Sequence, residues 1–445
     1  MIKGLSTPSQ LLVELPVDLP TGQAALAVTA GGQTSNTVNL TIAAYAPAFF
    51  SPGSGIGLFQ DAVTFKQITA ANPATPGEPI AGTAVGLGVL TTPVATGVAA
   101  SGADQITATG TVTVGGETAA SPYIGASPGN VGIYQVNFTI PKDATGCAIN
   151  VIITVGGIAS PPVSVPIATP TPVICAAENS ATGLVRDAVH GAAANAFTSI
   201  YVAAPAVAAN GGNLFPGTDY QGIEASFNGT PLPLYSVTNI PPSQLLVNTI
   251  IPSEAGSTGS GTLTVKASNG SSQSYSIGLT PADVGVFRLP DPHNPARIQG
   301  IALIANTYWF AIPASLAASY NLPACTGLPL TMPCGQPAHP GDPIVVYFTG
   351  GGLATPNGNA NGKPVPTGQV APVDGSVIYN TVTIPTITIG GIPTIPAFSG
   401  IAPGTASEYQ LNTTIPTGVT PGDDVPIVLT FGNSSDTFTI AVQKP

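Results

Sequence analysis

Three histidines, twenty acidic side chains, four cysteines and one tryptophan are the residues with chemical potential in this chain. A nucleophilic triad needs a histidine beside an aspartate and an activated serine or cysteine. His190 follows Arg186 and Asp187 in an Ala-rich stretch, His293 lies in Pro290-Asp291-Pro292-His293-Asn294-Pro295, and His339 lies in Pro337-Ala338-His339-Pro340. All three read as surface-loop histidines, and no GxSxG nucleophile elbow is expected to serve them. Paired carboxylates could cleave glycosides, with Asp423-Asp424, Asp283 with Asp291, and Glu224 with Asp219 as the candidates. Adjacent strand residues face opposite ways, which separates Asp423 from Asp424. Calcium takes loop carboxylates and carbonyls, but no DxDxDG loop occurs, and no CxxC or HxxxH spacing offers zinc a site. The expectation is a non-enzyme with no catalytic residue, no cofactor and no metal.

The remaining candidates are apolar. Trp309 stands between Tyr308 and Phe310 after an apolar run, which favours packing over a sugar-stacking platform. Phe49-Phe50 reads as a wedge between modules. Cys325 and Cys334 are nine residues apart with Pro329 and Pro333 between them, and Cys147 and Cys175 are the leftover pair. An even count in an exported chain favours two disulfides.

Composition narrows the class. Lys plus Arg number 9 and Asp plus Glu 20, for a net charge of −11 over 445 residues. So few cations cannot track a phosphate backbone, which argues against nucleic acid. Hydrophobic residues make up 43%, too many for a disordered chain despite 53 Gly and 47 Pro. The longest uncharged stretch, residues 298–341, is broken by Pro313, Pro323, Pro329 and Pro333, so no membrane span is expected. The start, Met1-Ile2-Lys3-Gly4-Leu5, lacks a secretion signal. The Thr, Ser, Gly and Pro content nevertheless looks exported, as in a mature or truncated form of a secreted protein.

Internal repeats organise the chain. Thr113-Val114-Gly115-Gly116, Gly125-Ala126-Ser127-Pro128-Gly129 and Tyr134-Gln135-Val136-Asn137 recur 275 residues later as Thr388-Ile389-Gly390-Gly391, Gly400-Ile401-Ala402-Pro403-Gly404 and Tyr409-Gln410-Leu411-Asn412. Pro8-Ser9-Gln10-Leu11-Leu12-Val13 recurs 234 residues later as Pro242-Ser243-Gln244-Leu245-Leu246-Val247. The order is A1–B1–A2–B2, with A1 lacking about half a module. The expected boundaries are 1–44, 45–170, 171–283 and 284–445. Period-2 alternation, as in Tyr134, Val136, Phe138 and Ile140, marks strands with one buried face. Gly-Gly and Asn-Gly pairs mark hairpin turns. The fold class is all-β, in tandem Ig-like β-sandwich modules. The single helix expected covers residues 313–320, opened by a proline.

The run from Pro76-Gly77 through Gly86-Leu87-Gly88, Thr92-Pro93-Val94-Ala95-Thr96-Gly97, Val114-Gly115-Gly116, residues 127–137 and Ile140-Pro141 resembles the Solibacter-type C-terminal repeat of secreted acidobacterial proteins. The Pro-Ser-Gln-Leu-Leu-Val segment is similar to the Ig-like, IPT/TIG-type unit that precedes it. B2 departs from the pattern by an insertion around residues 325–341 and a polar loop at 357–362. The resemblance implies an extracellular β-sandwich scaffold and no catalytic residues.

Function then turns on A1. Strands are expected at residues 11–15, 24–30 and 37–42. Leu11, Val13 and Leu15 share one face, Leu26 and Val28 another, and Val38, Leu40 and Ile42 a third. Such a half core, left in water, forfeits on the order of 10 kcal/mol at ~25 cal/mol per Å2. These eight residues are the expected inter-subunit interface of an extracellular homopolymer, a surface fibre. The competing class is an adhesin or carbohydrate-binding appendage with a polysaccharide as partner.

Overall fold

The computed structural model describes residues 6–7, 10–11, 13–51, 55–69, 72–144, 149–240 and 244–444. The chain is all-β, as the alternating pattern requires. Ala314–Ser319 is the one α-helix among the described residues and follows Pro313. Two compact units form, one from 1–169 with 240–244, the other from 170–239 with 245–445.

In the first unit, B1 stacks two sheets. One contains Gly110–Val114 between Glu117–Ala119 and Asn150–Val155. The other runs Tyr123–Ala126, Tyr134–Thr139, Pro79–Val85, Ala48–Phe49, with Phe59–Asp61 also on Pro79–Val85. Val112, Val114, Val136, Phe138, Ile153 and Val155 fill the space between them. Their neighbours Thr111, Thr113, Asn137 and Thr154 point away, because strand side chains alternate. Phe49 is not a wedge between modules. It lies in this core, edge to face with Phe59 at 5.3 Å, because its strand pairs with Pro79–Val85.

A1 has less. Gly22–Leu26 pairs antiparallel with Val38–Ile42, and Thr29–Ala30 pairs with Gln33–Thr34 around Gly31 and Gly32. Both glycines have positive φ, +57° and +79°, as a two-residue hairpin turn demands. The expected strand at 11–15 is not formed: Gln10–Leu11 is strand, while 13–16 are irregular. The expected strand at 24–30 is two pieces, Gly22–Leu26 and Thr29–Ala30, because the hairpin bends at residues 27 and 28.

In the second unit, A2 is a complete sandwich. One sheet holds Val173–Asn179, Phe197–Ala203, Gln244–Ile250 and Leu234–Ile240. The other holds Tyr275–Thr280, Ser260–Ala267 and Glu224–Phe227. B2 repeats B1: Tyr409 stands opposite Phe348 as Tyr134 stands opposite Ala84. Its larger sheet has nine strands, extended by Trp309–Ala311 and Cys334–Gln336.

Candidate functional site

The A1 hairpin is the A2 hairpin shifted by 237 residues. Leu26 pairs with Val38 and Ala24 with Leu40, as Leu263 pairs with Tyr275 and Gly261 with Ile277. The serine hydroxyl that braces the turn is copied, but the turn is not: Gly31 and Gly32 have positive φ and the matching Ser268 and Asn269 do not. Val28 N donates to Ser35 Oγ at 3.0 Å, and Val265 N donates to Ser272 Oγ at 3.0 Å. Burial is not copied. Leu263, Val265 and Ile277 are 0% exposed, whereas Leu26 is 41%, Val28 41% and Val38 52% exposed. Leu40 and Ile42 are half-buried. Leu11, Val13 and Leu15 are exposed too, while Leu245, Val247 and Thr249 in A2 are sealed. Among the described residues, none from A1 up to Ala44 joins a hydrophobic core.

The difference lies in what covers each hairpin. In A2, Ser260–Ala267 has a strand on both sides, Tyr275–Thr280 and Glu224–Phe227. Among the described residues of A1, Gly22–Leu26 has only Val38–Ile42 as a partner, so its other edge carries unpaired backbone groups, a template for strand addition. The register of A2 maps an incoming antiparallel strand onto Leu26 to Thr29. The two acceptors also differ sterically. A Cβ on Gly261 would lie 2.0 Å from the Phe227 ring, and A1 carries Ala24 at that position. A strand fitting A1 therefore needs a smaller side chain where A2 uses Phe227.

A1 is nonetheless docked as A2 is. Val17 N donates to Thr96 Oγ1 at 3.0 Å, and Ser253 N donates to Thr367 Oγ1 at 2.9 Å. Ala46 N donates to Gly86 O at 2.9 Å, and Asp283 N donates to Gly350 O at 2.8 Å. Gly86 and Gly350 have φ of +73° and +74°, and a Cβ there would meet the carbonyl oxygens of Ala46 and Asp283 at 2.0 and 1.7 Å. The expected Tyr134 and Tyr409 are equivalent, and their hydroxyls donate to Gly88 O and Gly352 O. Burial pushes both phenols up, and Glu14 adds to the effect at Tyr134. Glu14 Oε2 accepts from Gly97 N at 2.6 Å.

The second unit adds a buried polar network that no sequence spacing announced. Arg186 is fully buried, and its Nε donates to Asp283 Oδ2 at 2.6 Å. Its Nη1 donates to Phe197 O at 2.7 Å and Thr198 Oγ1 at 2.6 Å. Burial pulls the guanidinium down while Asp283 pushes it up. Asn195 Oδ1 accepts from Ser253 Oγ at 3.1 Å and Ser407 Oγ at 2.7 Å, and its Nδ2 reaches Tyr409 Oη at 3.4 Å.

The candidates for chemistry disperse. Asp283 belongs to Arg186, Asp291 and Asp424 share Arg297, and Glu224 holds Lys266. His190 lies on Asp187, His293 on Ser319 and His339 on Asp342. Against expectation, a Gly-x-Ser-x-Gly string does occur, Gly125-Ala126-Ser127-Pro128-Gly129. It is no elbow. It ends the strand Tyr123–Ala126 in a turn instead of opening a helix, and Ser127 Oγ accepts from Asn130 Nδ2. Among the described residues no cluster of His, Cys, Asp or Glu is grouped to hold a metal ion. None of their helices is long and apolar enough to cross a membrane. Cys325 and Cys334 are bridged, with Cα atoms 5.2 Å apart. Cys175 is disulfide-bonded, and Cys147 lies outside the described residues. Trp309 sits half-buried in a strand parallel to Cys334–Gln336, with Nε1 donating to Pro329 O at 3.4 Å.

No family model matches the chain, and no curated protein matches it. Several solved structures are similar at low level. SGBP-B of the Bacteroides ovatus mixed-linkage glucan utilization locus, in complex with a mixed-linkage heptasaccharide, is 12% identical, with 89% of this chain and 70% of that one covered and a TM-score of 0.27. The I9–I11 tandem of titin is 11% identical, covering 84% and 96%, with a TM-score of 0.15. Domains 4–9 of the surface layer protein SbsC are 12% identical, covering 94% and 69%, with a TM-score of 0.15. At such TM-scores these likenesses carry no argument.

Proposed function

We propose that this chain is an extracellular structural protein, a subunit of a surface fibre in which a second copy completes A1. One observation carries the reading: the A1 hairpin keeps the registers and the turn bond of a sandwich half but leaves its apolar face and one strand edge open. Burying a Leu or Val side chain is worth roughly 1.5–3 kcal/mol. Covering Leu26, Val28, Val38 and the exposed Leu11, Val13 and Leu15 therefore rewards association strongly. An exposed edge takes up a strand by main-chain hydrogen bonds, and pockets between alternate side chains set its identity. Because Ala24 stands where A2 has Gly261, a swapped first half of A2 is a poor occupant, and a different segment of the neighbouring copy is called for. Head-to-tail contact of this kind does not close, so it extends into filaments. The bridged Cys325 and Cys334 suit an oxidising compartment, as the resemblance to the Solibacter-type repeat also implies. Sedimentation of the full chain over a range of concentration tests the reading. Growing oligomers that Leu26→Asp with Val38→Asp reduce to monomers are expected, and a parent that stays monomeric at high concentration overturns it.

A further inference from the structure

A separate feature of B1 has nothing to do with the open half-module. Phe59–Asp61 turns back on itself so that Gln60 bridges Gln67. Asp61 ties this turn: its Oδ1 accepts from Val63 N at 2.7 Å and Thr64 N at 3.1 Å, and its Oδ2 accepts from Thr64 Oγ1 at 2.8 Å. These backbone bonds hold the Asp61 carboxyl below its usual value. The turn closes by forcing Phe65 to φ +58°. A bulky residue rarely adopts that region, and such strain gathers at functional positions. The outcome is a phenyl ring held out at 71% exposure on a rigid turn.

Beside that ring lies a cavity of about 400 Å³ on the outer face of the sheet. That volume is within the roughly 300–1,000 Å³ of small-ligand sites. Gln60, Gln67, Thr83, Ser127 and Gln135 supply its polar wall, and none of its lining residues is charged. Among the described residues, the Gln60 and Gln67 amides and the Thr83 hydroxyl have no hydrogen-bond partner. Gln135, also on the lining, donates from Nε2 to Asn137 Oδ1 at 2.8 Å.

B2 provides an internal control. The equivalent strands pair Leu303 with Val345 and with Phe310, where B1 pairs Gln60 with Ala81 and bridges it to Gln67. Thr83 becomes Tyr347 by the same alignment. Phe310 packs under Ile312, Leu316 and Ala317 of the helix region. The same place on the fold is thus apolar and covered in B2, and amide-lined and open in B1. Only the rim aromatic persists, Phe65 in B1 and Tyr308 in B2, both exposed.

We infer that the B1 cavity binds a neutral oligosaccharide. A primary amide offers two donors and an acceptor in one plane, which suits the vicinal hydroxyls of a sugar. Three such amides with no charge among them fit a ligand that is polar, uncharged and rich in paired hydroxyls. The Phe65 ring supplies an apolar platform for the C–H face of a pyranose at low conformational cost, as aromatic anchors do. The net charge of −11 disfavours anionic polymers. No carboxylate lines the cavity, so the ligand is held without being cleaved.

Affinity electrophoresis of the full chain through gels holding a soluble β-glucan, a galactomannan, an arabinoxylan or a dextran tests this. Retardation by at least one of the four is expected. Gln67→Ala and Phe65→Ala should each weaken it at least tenfold by calorimetry with that polysaccharide. Phe65→Gly relaxes the positive φ, so it should keep the melting temperature and still lose retardation. Val345→Ala on the corresponding face of B2 should bind like the parent. No retardation by any of the four overturns the inference, as does retardation that these Gln67 and Phe65 variants leave intact. Neither outcome depends on whether copies of the chain assemble through A1.

Discussion

The hairpins that end A1 and A2 agree in register and in a single serine hydroxyl, yet Leu263 is sealed and Leu26 is 41% exposed. The agreement shows that this hairpin is a local object. Its two-residue loop, its cross-strand pairs and its Ser Oγ bond involve neighbours in sequence. Burial is set by partners far along the chain: in A2 the cover is a sheet drawn from residues 173–250, and A1 has no such sheet within the described residues. A second contrast runs the same way. B1 and B2 each build a sheet of the same register, but B1 opens an amide-lined cavity where B2 packs Phe310 under a helix.

The sharpest break of the first contrast is a charge placed at equivalent leucines. Leu263→Asp should unfold A2, at a cost of about 4–5 kcal/mol, since it buries an unpaired carboxylate. Leu26→Asp should leave the urea midpoint of dilute protein almost unmoved. Equal losses at the two sites would mean that the A1 face is already covered.

Next in size is the buried ion pair, which has no twin in the first unit because Ala46 occupies the place of Asp283. Arg186→Ala should cost about 3–5 kcal/mol, the usual effect of stranding a buried charge. Arg186→Met with Asp283→Ala should recover most of it. Denaturation followed by urea should show the loss confined to the later-numbered unit.

The smallest effect separates the repeated tyrosines. Tyr409→Phe should cost about 1–2 kcal/mol and Tyr134→Phe about 0.5–1, since the first is fully buried and also meets Asn195. Burial raises the Tyr409 pKa above the ordinary 10.0, so the folded state holds its proton longer than the unfolded chain does. The associated stability is complete below pH 10 and is lost as the pH rises past it. Melting at pH 7 and in alkali should show Tyr409→Phe shedding part of that alkaline loss. A larger penalty at Tyr134 would break the ordering.

Much of this fold was legible because its signals are short-range. Alternation marked the strands, glycine pairs marked the turns, and constant offsets paired B1 with B2. Prolines and a nine-residue spacing pointed to the Cys325–Cys334 clip. The core position of Phe49 is hidden from the sequence because a lone aromatic pair between modules carries no sign of which sheet will recruit it. The Arg186 network was invisible for a related reason: its members stand 97 residues apart, and one of them, Asp283, looked like a candidate acid. Nothing in the sequence marks Thr96 and Thr367 as docking residues, since a threonine before a glycine is ordinary in so Thr-rich a chain.

By itself the sequence determined most of the strands and turns of the complete modules, and that two module types alternate. Those properties follow from backbone sterics and from a period of two, which neighbouring residues settle among themselves. Tertiary structure alone decided which apolar faces meet a partner, which carboxylates meet a guanidinium, and where three glutamines and a phenylalanine gather round one hollow. Gln60, Gln67, Thr83 and Gln135 come from three strands and a turn, and only the pairing of Pro79–Val85 with its neighbours sets them side by side. Such contacts depend on how strands lie against one another, and no spacing along the chain encodes that.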